Sequence, residues 1–142
     1  MRFMILRKAD KNTETGAMPS TELITEMMKY NEELIKAGVM LAGDGLHPSS
    51  RGARVKFSGG KPTIIDGPFT ETKELIAGFT MIEVKSKEEA LQWVKRWPAL
   101  DADGEVELEI RQVIEASDFG PELTPELRQQ EERLRAESAA KK

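Results

Sequence analysis

Apolar and polar positions recur along this chain with two periods, one of a strand and one of a helix. Phe3-Met4-Ile5-Leu6 is apolar at every position, which predicts a short strand buried on both faces. Residues 9–19 are polar, contain Gly16 and Pro19, and predict a loop. Leu23, Ile24, Met27, Met28, Leu34 and Ile35 then return at helical spacing, with Ser20 as N-cap, Glu22 in the first turn, Lys36 in the last and Gly38 beyond it. Val39-Met40-Leu41 predicts a second strand. Ala53 to Phe57 alternates, Gly59-Gly60 is a turn signal and Thr63-Ile64-Ile65 is β-branched, so a β-hairpin follows. Asp66-Gly67-Pro68-Phe69 is a bend. Gly78 to Val84 is a strand with Phe79 and Met81 on one face, Ile82 and Val84 on the other. Ser86-Lys87-Glu88-Glu89 is a capping box opening a helix that buries Ala90, Leu91, Val94 and Trp97, and Pro98 stops it. Glu105 to Arg111 alternates strictly, with Val106, Leu108 and Ile110 against Glu105, Glu107, Glu109 and Arg111.

This order is that of an α+β, ferredoxin-like split βαβ with an inserted hairpin. Helices cover one face of such a sheet. The other face is apolar on the first strand and charged on the last, so a self-complementary homodimer is expected to cover it. Residues 1–114 make this domain. Residues 115–142 make a charged extension, with Thr124, Pro125 and Glu126 as N-cap, N1 and N2 of a peripheral helix. That helix carries Leu127 and Leu134 one heptad apart, with Arg128/Glu132 and Glu131/Arg135 as i,i+4 pairs.

Composition narrows the chemistry. The chain has 142 residues, a formal net charge of -4 and 32% charged residues. The acidic balance argues against direct nucleic-acid binding. No apolar run reaches the ~20 residues of a membrane span, and the N-terminus lacks the pattern of a secretory signal. With no cysteine, disulfides, thiolate catalysis and Cys-bound metals are excluded, and a cytoplasmic location is expected. With one histidine, no site with two His ligands can be built from one chain.

Asp66-Gly67-Pro68-Phe69, followed by Thr70 to Phe79, resembles the signature of the DGPF branch of the YCII-related family. Gly43-Asp44-Gly45-Leu46-His47-Pro48, Ala53-Arg54-Val55 and Glu109-Ile110-Arg111-Gln112-Val113 are similar to it as well. The resemblance spans residues 1–120. It implies a dimeric α+β barrel but no established activity. It also implies kinship in fold with small lactone isomerases and dechlorinases, a His–Asp pair proposed as catalytic in the YCII branch, and, for some members, an association with alternative sigma factors.

The candidate chemistry clusters around the bend. His47 is the one side chain whose ordinary pKa lies near neutrality, and Asp44 or Asp66 is expected to orient it. His47 and Asp66 are the candidate acid/base pair. Asp66, Gly67, Pro68, Phe69 and Arg54 are the candidate ligand-binding residues, with Phe69 as an apolar wall. The plainer alternatives are a solvated loop histidine, an Asp66 that bonds backbone amides to close the turn, a core or interface Phe69 and an exposed hairpin Arg54. Glu71, Lys73 and Glu74 read as solvated surface, Arg51 as an exposed arginine, and Glu105, Glu107 and Glu109 as a wet or salt-bridged face rather than a metal site. The expected function is binding of a compact polar or aromatic metabolite between sheet and hairpin, extending to acid–base chemistry without a cofactor. The alternative is a non-enzymatic interaction or sensing module acting with a sigma factor, with the charged C-terminal helix as its docking element.

Overall fold

A computed structural model describes residues 1–141. Two compact units divide the chain after Gln112. The first begins with strand β1 (Arg2–Lys8), the short helix α1 (Lys11–Glu14), helix α2 (Thr21–Lys36) and strand β2 (Met40–Gly45). The hairpin of β3 (Ala53–Ser58) and β4 (Lys61–Asp66) follows, then β5 (Ile76–Glu83), helix α3 (Lys87–Val94) and β6 (Leu108–Gln112). The second unit holds helix α4 (Pro125–Ala140). No helix among the described residues is long and apolar enough to cross a membrane.

Four strands form one antiparallel sheet in the order β2-β5-β1-β6, and β3 pairs with β4 alone. This is the ferredoxin-like order of the split βαβ, decorated by a separate hairpin and an extra C-terminal helix. The hairpin turns on Gly59 and Gly60, both at positive φ, with Ser58 opposite Lys61.

Register assigns the faces, because directly opposed residues share one. Phe3 faces Ile82, and Ile5 faces both Thr80 and Ile110. This side is the core, where Phe3, Ile5, Ile82 and Val84 pack with Tyr30 and Leu34 of α2 and Ala90 of α3. The Tyr30 hydroxyl donates to the Trp93 carbonyl at 2.7 Å, which ties α2 to α3. On the other side Met4 faces Met81 and Arg111, and Leu6 faces Phe79 and Glu109. Met4, Leu6, Phe79 and Met81 are half-buried there.

Several local expectations shift. The buried stripe of α2 is narrower than its apolar stripe: Ile24, Met28 and Ile35 are exposed, as is Leu91 of α3. Each follows a core-facing residue by one position, about 100° around the helix, and a helix lying on a sheet buries only its nearest rows. The polar stretch 9–19 contains α1, capped by Asp10, whose side chain accepts from the Thr13 amide at 2.8 Å. In the predicted capping box Ser86 accepts from the Glu89 amide at 3.1 Å, but the Glu89 carboxylate reaches the Lys85 amide, not that of Ser86. β6 begins at Leu108 rather than Glu105, because Ala102, Asp103 and Gly104 turn left-handed just before it. The alternation survives in the part that pairs.

A buried ion pair anchors that turn. Arg7 donates to Asp101 through Nη2 at 2.6 Å and Nε at 3.1 Å, and Trp97 Nε1 donates to the same carboxylate at 2.9 Å. Burial alone would lower the Arg7 pKa, but the Asp101 hydrogen bonds outweigh it and the net shift is upward. Arg7 also donates to Asp10 at 3.1 Å. Burial would raise the Asp10 pKa, but the Thr13 amide and Arg7 hold it below its ordinary value.

In the second unit the Thr124 side chain accepts from the Leu127 amide, Pro125 sits in the first turn, and Arg135 bonds Glu131 at 3.0 Å. All three match the sequence pattern, whereas the expected Arg128/Glu132 pair does not form among the described residues.

Candidate functional site

The bend after the hairpin is shaped by one close approach. The Gly67 amide donates to the Gly52 carbonyl at 3.0 Å and closes the base of the hairpin. A Cβ on residue 67 would stand 1.8 Å from the Ser49 carbonyl oxygen and 2.6 Å from its carbon. Glycine is therefore required here for space rather than for an unusual φ. The Gly67–Pro68 peptide is cis. The next amide, Phe69, donates to Ser49 Oγ at 3.0 Å. The turn-closing role considered for Asp66 thus belongs to Ser49. Asp66 ends β4 opposite Ala53, with its side chain exposed and without a hydrogen-bond partner among the described residues.

Phe69 is half-buried, and the Arg54 guanidinium lies 3.8 Å from its ring centroid. This distance is that of a cation–π stack. The N–H edge of Arg54 makes no ion pair among the described residues, and Pro68 is exposed beside it. Glu71 sits just beyond. Its own backbone amide and the Thr70 hydroxyl hold its carboxyl below the usual range, with a smaller contribution from the Arg54 charge.

His47 is exposed and lies against Arg51, whose Nη1 is 3.2 Å from Nε2 and 3.4 Å from Nδ1. No hydrogen bond joins His47 to Asp44 or Asp66 among the described residues. Asp44 lies in β2 opposite Phe79, on the sheet face turned away from α2 and α3. The structure therefore brings Arg54 to Phe69 and Arg51 to His47, and joins His47 to Asp66 by no hydrogen bond among the described residues. No group of three or more His, Asp or Glu suited to a metal ion occurs among the described residues. A shallow depression of about 670 Å³, lined by Met1, Val39, Glu83, Val84, Lys85 and Glu89 among others, includes none of the bend residues.

Sequence pattern does not single out Ser49 or Glu14. The Glu14 carboxylate accepts from the Ser49 amide at 2.8 Å and from the Ser49 hydroxyl. These residues are 35 positions apart, and no local period links them. The only local signal was Asp10, an N-cap residue type placed three before Thr13.

The sheet order and the inserted hairpin are those of a small ferredoxin-like α+β protein. The chain belongs to the YCII-related domain family, whose profile matches residues 1–117. An uncharacterised protein of Rhizobium meliloti (strain 1021) is 30% identical over 73 residues, which are 51% of this chain and 59% of that protein. The chain thus spans about three-fifths of that relative's length. Among solved structures it is similar to a 5-chloro-2-hydroxyhydroquinone dehydrochlorinase from Burkholderia phenoliruptrix AC1100 in complex with 2,5-dihydroxybenzoquinone. That match covers 84% of this chain and 100% of the other, at 16% identity and a TM-score of 0.47.

Proposed function

We propose that this protein binds a compact, anionic or aromatic metabolite at the root of the hairpin. The observation that carries this is the Arg54–Phe69 stack. It presents a flat apolar wall with a planar cation fixed beside it, while the guanidinium edge stays open for a carboxylate or phenolate. Gly67 and Pro68 shape the backbone of the same wall. His47 and Asp66 act as acid and base from separate positions around the ligand, bridged by it rather than touching each other. The chemistry uses no cofactor: these two groups move protons, and Arg54 stabilises negative charge on the ligand.

The working unit is a homodimer. Met4, Leu6, Phe79 and Met81, on the sheet face opposite the core, favour a second copy as their cover, with Glu109 and Arg111 at the seam. Pairing two such faces closes the α+β barrel.

A thermal-shift screen with compact aromatic carboxylates and phenols tests the site. Ligands that bind only the native state raise its melting temperature. Hits should stabilise the wild type and lose most of that effect in Arg54→Ala and Phe69→Ala. A panel without any hit, or hits indifferent to both substitutions, would overturn the assignment.

A further inference from the structure

The structure assigns Glu14 the role of a positioning residue for the bend at Gly67–Phe69, exerted through Ser49. This rests on the bend being the ligand site. Helix α1 has only four residues and buries none of them, so it adds nothing to the core. It is nevertheless pinned at its start. Asp10 and Thr13 exchange two bonds of 2.8 Å, and Arg7, itself locked to buried Asp101, donates to Asp10. Such anchoring at one end of a helix without core contacts serves what the other end holds, and that end is Glu14.

Both carboxylate oxygens of Glu14 are used on one residue. Oε2 accepts from the Ser49 amide and Oε1 from its hydroxyl. A serine hydroxyl has a single proton and two lone pairs. With the proton committed to a carboxylate, a lone pair is left facing the Phe69 amide, 3.0 Å away. The Ser49 carbonyl is meanwhile packed against Gly67. Glu14 thus sets the polarity of one hydroxyl, and that hydroxyl holds the backbone which carries the Phe69 ring under Arg54. A glutamine at position 14 offers one acceptor oxygen where two are used. With that oxygen on the Ser49 amide, its NH2 group meets the Ser49 hydroxyl as a donor, and the hydroxyl proton loses the carboxylate that fixed it.

Amide hydrogen exchange and NMR shifts on the full-length protein test this without any ligand. In Glu14→Gln and Ser49→Ala, exchange at the Phe69 amide should rise roughly tenfold, the effect of losing about one hydrogen bond. The Arg54 Nε–H signal should move away from its ring-shifted position above Phe69. Ser49→Thr keeps the hydroxyl and should restore both. Amides of Ile5 and Ile82 in the central strands should exchange as in the wild type. An unchanged Phe69 amide in Glu14→Gln, an equal rise at Ile5 and Ile82, or failure of Ser49→Thr to differ from Ser49→Ala would each overturn the role. Should the bend loosen as described while no screened compound distinguishes wild type from Arg54→Ala, the positioning role stands and the ligand site falls.

Discussion

The carbonyl oxygen of Ser49 stands 1.8 Å from the point a Cβ on Gly67 would occupy. Backbone meets backbone there, so no side-chain rotation can relieve the clash. Gly67→Ala should cost about 3 kcal/mol or more, at or above the upper end for overpacked sites. Gly59, at φ 58 with nothing within 4 Å of its missing Cβ, bears only conformational strain. Gly59→Ala should cost about 1–2 kcal/mol. Urea unfolding of the two variants checks the order, and equal losses would contradict the close approach.

Asp101 neutralises a buried cation. Arg7 and Asp101 are 8% and 6% exposed, and two hydrogen bonds join them. Removing Asp101 leaves Arg7 with only the part-exposed Asp10 as counter-charge and Trp97 Nε1 without its acceptor, so Asp101→Ala should lose about 3 kcal/mol, the lower end for a broken buried pair. The double variant Arg7→Met/Asp101→Leu should recover most of that. Denaturant midpoints measure both, and a double variant as unstable as the single one would show that packing, not charge, dominates.

Tyr30 is the single tyrosine and is 3% exposed. Burial pushes its hydroxyl up from 10.0 to about 12, Arg96 opposes that, and Glu33 adds to it. A raised folded-state pKa means the neutral form is favoured by folding. The contribution is whole below pH 10.0 and is lost as the pH climbs from there towards about 12. Ultraviolet titration of the native protein should therefore show phenolate only near the upper value. Stability should fall across that interval in the wild type and fall less in Tyr30→Phe. A native titration at the ordinary value would contradict the burial.

Leu6 and Phe79 sit opposite each other on the sheet face turned away from the Phe3–Ile5–Ile82 core. The proposed dimer predicts a scattering mass of twice 15.9 kDa at micromolar concentration. Leu6→Asp and Phe79→Asp should halve it, since a buried unpaired carboxylate is not tolerated in an interface. A wild-type monomer at that concentration would rule out barrel closure.

Much of the fold was legible because its signals are local. Ser20, Ser86 and Thr124 cap helices where the pattern places them, since a cap needs only an oxygen two or three residues from free amides. Gly59-Gly60 turns the hairpin because both positions need positive φ. The alternation at Leu108, Glu109, Ile110 and Arg111 assigns faces because strand geometry repeats every two residues. Leu91, Ile24 and Met28 were misplaced for the converse reason: a helical period gives a stripe, and only the sheet beneath decides how wide a stripe is buried.

For the site, the sequence by itself offered Asp66 to Phe69 as the candidate, in a chain with one histidine and no cysteine. It also set the order of elements along the chain that a split βαβ requires, while the sheet order β2-β5-β1-β6 came from the tertiary structure. Tertiary structure alone decided which groups meet. Arg7 reaches Asp101 across 94 positions, Glu14 reaches Ser49 across 35, and Ser49 reaches Phe69 across 20. Arg51, not a carboxylate, lies beside His47. Periodicity reports which way a side chain faces along its own element. It carries no record of the partner that chain closure brings opposite, and at this bend those partners set the geometry.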